Sequence, residues 1–237
     1  MLIGLLVAWF VLSMCAFTAE NKSLVLYIMA IKFDKFDVDN VRFEQIKLPG
    51  NNTIVLPRFN GSSVPNIILP RIELTCYGVP KLGPYFKTDK DRQFIQLPIT
   101  GETLARFELL DSYMQANSTL KSLFSSSEYA PMVKQGKQGP YIKLKLETDY
   151  ETGSIVTQLW DSEKQWNGKV ETELLNVESM DEFAAAFPLN CSINCEIRFV
   201  KVWCINKRFG LTIKLTKANV LQPEKRVVDC SGIEFDF

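Results

Sequence analysis

No histidine occurs in the 237 residues of this chain. That absence removes the side chain most often used as a general base and as a metal ligand near neutral pH. Serine–histidine and cysteine–histidine nucleophile pairs are excluded with it. Cysteine is sparse as well. Cys15, Cys76, Cys191, Cys195, Cys204 and Cys230 include no CxxC pair, and the closest spacing is Cys191-Ser-Ile-Asn-Cys195. Zinc ribbons use close pairs, so no metal site is expected and the thiols read as small buried apolar groups. The carboxylate pairs Asp89/Asp91 and Asp181/Glu182 look like solvated surface charge. With no motif that supports a reaction, neither a catalytic residue nor a cofactor is expected.

Neither charge sign is in excess, with 27 basic against 27 acidic residues. A protein that coats duplex DNA by bulk charge is therefore excluded, and any nucleic-acid site must be local. Glycine and proline are modest at 12 and 11 residues, and 46% of the chain is hydrophobic. This is the composition of an ordinary globular protein able to bury a full core.

The most informative stretch is Glu196 to Lys217. Strand-type runs Ile197–Ile205 and Leu211–Thr216 flank Asn206-Lys207-Arg208-Phe209 and Gly210, a pattern that predicts an antiparallel hairpin with a loop longer than two residues. Strict alternation would put Val200, Val202 and Cys204 on one face of the first arm and Phe199, Lys201 and Trp203 on the other. On the second arm Leu211, Ile213 and Leu215 oppose Thr212, Lys214 and Thr216. One face is apolar and suits a core. Its opposite mixes aromatics with cations, and Arg198, Lys201, Lys207, Arg208, Lys214 and Lys217 face a single acid, Glu196, within the stretch. Cations attract a phosphate backbone, and flat rings beside them offer unpaired bases a stacking surface. The plainer alternative is that Phe199 and Trp203 fill a core while the lysines solvate an outer face.

A second strand repeats the pattern. In Tyr141–Leu146, Ile142, Leu144 and Leu146 point one way and Tyr141, Lys143 and Lys145 the other. Its lead-in, Tyr129 to Pro140, is basic and contains glycine, but it lacks the GxxxxGK[ST] spacing of a phosphate-cradling loop.

Around these lie shorter elements. Val41–Lys47, Thr53–Leu56, Ile67–Leu74 and Phe94–Ile99 read as short strands punctuated by proline, hence as edges or extended arms. Glu102–Leu123 reads as a helix with Leu104, Phe107, Leu110, Met114 and Leu120 at helical spacing, Thr100 or Thr103 as its cap, and a break at Ser118-Thr119. Ile155–Trp160 and Lys169–Leu175 are further strands around a polar loop that holds Trp166. A short helix within Asn176–Phe187, capped by Asn176 or Ser179, stops at Pro188. The expected fold class is mainly β with minor α. Residues 129–222 fit a five-stranded barrel of the oligonucleotide/oligosaccharide-binding (OB) type, preceded by a strand-rich extension at 29–128 that carries one helix.

Tyr129–Leu146 followed by Ile197–Val220 resembles the OB-fold single-stranded DNA-binding proteins of large DNA viruses and, more distantly, those of phages. The hairpin that carries the likeness has the form W-x-x-x-K-x-F-G-x-T-x-K, here Trp203, Lys207, Phe209, Gly210, Thr212 and Lys214. The resemblance implies a non-catalytic role in DNA replication or recombination. Tyr141, Phe199 and Trp203 would stack bases, while Lys143, Lys145, Lys201, Lys207, Arg208 and Lys214 would meet phosphates. Single-stranded DNA is the implied partner, with RNA and self-association left open. The tail at 223–237 ends acidic and aromatic, and Glu234, Phe235, Asp236 and Phe237 resemble the tips by which such proteins recruit replication partners. An acidic tail can also compete with phosphate for a basic groove.

Two features pull the other way. Residues 1–28 open with the apolar run Met1–Thr18, which resembles a signal peptide or short anchor but lacks a basic start. The expectation is that Met29 is the working start, which would make the protein intracellular; an upstream peptide detected by mass spectrometry would refute it. Asn-x-Ser/Thr sequons at Asn21, Asn51, Asn60, Asn117 and Asn190 support the alternative, a secreted or membrane-anchored β-rich binding module with N-glycans.

Overall fold

A computed structural model describes residues 30–48, 53–164 and 168–223, and from Ile31 onward they form one compact unit. The expected leader, Trp166 and the tail residues Glu234, Phe235, Asp236 and Phe237 lie outside the described residues. Among those described, no helix is long and apolar enough to cross a membrane.

The fold is mainly β. Fourteen strands belong to one mixed sheet: β1 (Ile31–Lys32), β2 (Val41–Lys47), β3 (Thr53–Phe59), β4 (Ser62–Ser63), β5 (Ile67–Ile68), β6 (Ile72–Glu73), β7 (Phe94–Pro98), β8 (Glu128–Tyr129), β9 (Val133–Gly136), β10 (Gly139–Leu146), β11 (Gln158–Lys164), β12 (Val170–Leu175), β13 (Ser192–Ile205) and β14 (Arg208–Leu221). Among the described residues three α-helices join them: α1 (Gly101–Ala116), α2 (Ser118–Leu123) and α3 (Met180–Ala185). The main path runs β1-β5-β13-β14-β10-β7.

The sheet does not close into a barrel, which corrects the five-stranded OB expectation. The reason lies in the partners of β13 and β10. One edge of β13 pairs with β14, and the other is taken along its length by β3, β5 and β6. β10 likewise pairs antiparallel with β7. Strands on both sides of residue 128 thus share one sheet, and the edges that a barrel would have joined are already occupied.

Local signals hold where they depend on neighbours in sequence. The break between α1 and α2 falls at Asn117, whose side chain accepts a bond from Leu120 N at 3.2 Å and caps α2. Ser179 caps α3 by a reciprocal box with Glu182. Thr100 stands at the N-cap of α1 without a side-chain cap bond. Ile67–Leu74 is not one strand: Pro70 falls between β5 and β6, where a residue with no N–H cannot serve the ladder.

The hairpin β13–β14 departs from strict alternation twice. Its turn is only Asn206-Lys207, both with positive φ (51° and 58°), as a tight primed turn demands, and Arg208 and Phe209 are already paired with Ile205 and Cys204. The expected longer loop is thereby corrected. A register shift between Phe199 and Lys201 leaves Val200 as the extra residue, and a second leaves Thr216 extra on β14. Each bulge flips the parity of the residues beyond it. Inward residues run Ile193, Cys195, Ile197 and Phe199, then change to Val202; on β14 they run Phe209, Leu211, Ile213 and Leu215, then Ala218 and Val220. Cys204 is exposed and Val200 half-buried, contrary to the expected apolar face.

The inner face of the sheet buries Ile95, Leu97, Ile142, Leu144 and Leu146 with those residues, and α1 contributes Phe107, Leu110 and Met114 to the same core. At roughly 25 cal/mol per Å² of apolar area, this burial dominates the stability. The outward face of β7, β10, β14 and β13 is left to carry the side chains of interest.

Candidate nucleic-acid interface

Pairing register decides which expected residues meet. On β10, Lys145 is paired with Lys214 of β14, and Lys214 with Arg198 of β13. Paired residues on adjacent strands share a face, so three cations form a row across three strands spaced about 4.8 Å apart. Only Arg198 of these pairs with an acid, Glu147. Lys145 and Lys214 have no ion-pair partner among the described residues. Like charges directly opposite are destabilising, so this row costs stability until an anion covers it.

Along β13 and β14 the same outward face continues as Lys201 opposite Thr212 and Trp203 opposite Gly210. Trp203 is half-buried because its indole lies over the backbone of Gly210. A Cβ built there would meet Trp203 Cζ2 at 2.8 Å and the carbonyl of Ala130 at 3.0 Å. Gly210 therefore serves the strand and its ring neighbour rather than the bend. Gly210→Ala is expected to cost about 1–3 kcal/mol through overpacking and to shift Trp203 emission to the red, as read by unfolding and fluorescence.

On the β10 side, Tyr141 and Lys143 point outward with Lys145. Tyr141 is half-buried, with its ring centroid 4.7 Å from that of Tyr77. Tyr77 takes φ +69°. Its phenol donates to the Gly139 carbonyl at 2.7 Å and accepts from Gln138 N at 3.1 Å, pinning the β9–β10 turn. Gly136 makes this reach possible, since a Cβ there would sit 2.4 Å from the phenol oxygen. Lys143 places its ammonium 3.5 Å from the centre of the Phe94 ring. Burial, then Lys145 and Lys134, push its pKa down. The penalty for holding it charged is present below its folded pKa and fades as pH rises to the unfolded value, and a nearby anion would offset it.

Lys134, opposite Tyr141 across β9–β10, joins this cluster. Its pKa is lowered first by burial and then by Arg208, which brings the start of β14 close to β9. Lys207 is exposed at the tip of the hairpin turn.

Of the expected residues, Tyr141, Lys143, Lys145, Lys201, Trp203, Arg208 and Lys214 thus share the outward face. Phe199 does not. It is 4% exposed, pairs with Ile213 on the inner side and meets Phe36 edge-on at 5.5 Å. The reason is the bulge at Val200, which puts Phe199 and Trp203 on opposite faces although they are four residues apart. Tyr77, Lys134 and Arg198 also belong to this cluster, although the sequence did not single them out as contact residues. Lys134 stands in the basic lead-in to β10 and Arg198 in the cation-rich stretch from Glu196 to Lys217. Nothing local connects Tyr77 to Tyr141, 64 positions later.

Other chemistry is poorly provided for. Burial pushes the Cys195 thiol up to about 12 and the Cys191 thiol up to about 11, which keeps both protonated at neutral pH. No cluster of three or more metal-ligating side chains occurs among the described residues. A pocket of about 540 Å³ along β11–β12 is lined by Asp161, Glu163, Glu171 and Glu173 against one cation, Lys169, a net negative lining unsuited to phosphate. No protein-family model matches the chain, and no curated protein sequence matches it significantly.

Proposed function

We propose that the protein binds single-stranded nucleic acid, DNA in the first instance, across the outward face of β10, β14 and β13, without catalysis. The observation that carries this reading is the row Lys145–Lys214–Arg198 on one face with the half-buried rings of Tyr141 and Trp203, both of which lie toward the hairpin turn from it. Phosphates would relieve the repulsion within the row, and bases would stack on the rings that lie beyond it toward the hairpin turn. An open sheet face suits an unpaired strand better than a duplex, because the net charge is zero and the cation row is only three strands wide. Support of replication or recombination, recruitment of partners through the tail and self-association belong to the same proposal.

The test is quenching of tryptophan fluorescence during titration with oligonucleotides at two salt concentrations. The double variant Tyr141→Ala/Trp203→Ala is expected to lose about 2 kcal/mol, roughly 30-fold in affinity. Equal affinity of the double variant and the parent would refute the placement of the site.

A glycosylated binding module is the second reading. It is favoured by Asn60 and Asn190, both exposed at positive-φ turn positions where an attached glycan would meet no packing. Glycan mapping of protein made in a eukaryotic host separates the two.

A further inference from the structure

The outward face does not end at the cation row. Past the bulge at Thr216 it continues as Glu196 opposite Lys217, then Asn194 opposite Asn219, and Asn219 is paired in turn with Trp160 of β11. Here a shallow pocket of about 310 Å³ is lined by Trp160, Thr172, Asn194, Glu196, Lys217 and Asn219, with the small residues Cys195 and Ala218 at its floor.

Its polar groups are arranged to present hydrogen bonds. The Asn219 carbonyl oxygen accepts from Ser162 Oγ at 2.7 Å, which fixes the amide and leaves its NH2 group undirected to any described residue. Ser162 is itself 2% exposed and is held by Thr172 Oγ1 at 2.9 Å. Asn194 is exposed and makes no side-chain hydrogen bond among the described residues, so it offers a donor and an acceptor side by side. Glu196 is neutralised at the rim by Lys217 at 3.6 Å and is braced by Asn66 Nδ2 at 2.5 Å. A half-buried indole beside two amides, with charge cancelled at the mouth, is poorly suited to a phosphate. It suits a flat heterocycle with donors and acceptors on its edge.

We infer that this pocket is a nucleobase subsite that holds one unpaired base of the bound strand against Trp160 and reads its edge through Asn194 and Asn219. An amide that offers donor and acceptor together matches the N6–H and N7 of adenine. The inference rests on the proposed binding of single strands to the same face. From Gly210 to Asn219 the strand spans about 30 Å at ~3.3 Å per residue, or roughly nine nucleotides at 3.4 Å of stacked rise. One strand can therefore reach from Trp203 to Trp160.

The experiment uses the full chain and two labelled probes of about 12 nucleotides, inside the ~4–16 span of such sites. One is single-stranded DNA rich in adenine, and the other is the same sugar–phosphate chain without bases. Trp160→Ala is expected to weaken binding of the DNA about 10-fold and to leave binding of the abasic chain at the parent's level. The pair Asn194→Ala/Asn219→Ala is expected to reduce the preference for adenine over thymine. Parental affinity of Trp160→Ala for DNA overturns the subsite while the wider reading stands. An equal loss on both probes assigns Trp160 a structural role and also overturns it. No binding of DNA by the parent overturns both. Trp160→Phe, which keeps a stacking ring, should restore most of the affinity if the ring and not the local fold is responsible.

Discussion

Lys145→Glu combined with Lys214→Glu weakens single-stranded DNA binding by about 100-fold at low salt and does not lower the melting temperature. The two lysines are paired across β10 and β14, and neither has an acid partner among the described residues. In the free protein they repel each other and Arg198; the two glutamates still oppose each other but gain attraction to Arg198, so the terms offset. Binding should suffer because two phosphate contacts become two repulsions. Each contact to a single strand also contributes about 0.7 to the slope of log K against log salt, so the slope should shrink by about 1–2. Affinity measured at several salt concentrations, with thermal unfolding beside it, checks both halves. A variant that melts normally and keeps the parent's salt slope would remove the cation row from the binding site.

Asp111→Ala is expected to be the most damaging single substitution for stability. Asp111 lies on α1, is 9% exposed and accepts three bonds from one segment: Tyr129 Oη at 2.5 Å, Met132 N at 2.7 Å and Val133 N at 3.1 Å. Burial, then the charge of Asp111, push the Tyr129 phenol far above its ordinary value, so it stays a donor. Alanine would orphan a buried hydroxyl and two backbone N–H groups at once. Removing the acceptor of charge-assisted bonds to buried donors costs about 3–5 kcal/mol, or roughly 10 °C in Tm for a chain of this size. Asp111→Asn keeps one carbonyl acceptor and should cost about half as much. Urea unfolding of both variants tests this, and a loss below about 1 kcal/mol for alanine would show that water replaces the carboxylate. The same segment leads into β9, which carries Lys134 opposite Tyr141. A loosened segment should therefore weaken binding as well, through the platform rather than through charge.

The two predictions differ in how visible their basis is along the chain. Lys145 and Lys214 stand out as cations on alternating strands, and the apolar and polar sides of Tyr141–Leu146 can be read from period two alone. Asp111 gives no such signal. It interrupts the apolar spacing of a helix and would ordinarily be placed on the solvated side, yet its partners lie 18 to 22 residues later, from β8 to the start of β9.

By itself the sequence determined the elements whose causes are local: a break in the helix near residue 118, the Ser179 cap of α3, the alternation of β10, the existence of the β13–β14 hairpin and the exclusion of histidine chemistry. Tertiary structure alone decided which strands neighbour which, and so kept the sheet open by covering β13 with β3, β5 and β6. It also placed the bulges at Val200 and Thr216, and through them buried Phe199, kept Trp203 outside and turned Asn219 toward Trp160. The physical reason is that alternation fixes side chains only relative to their own strand. One unpaired residue reverses every face beyond it, and where that residue falls is set by hydrogen bonds to strands distant in the chain.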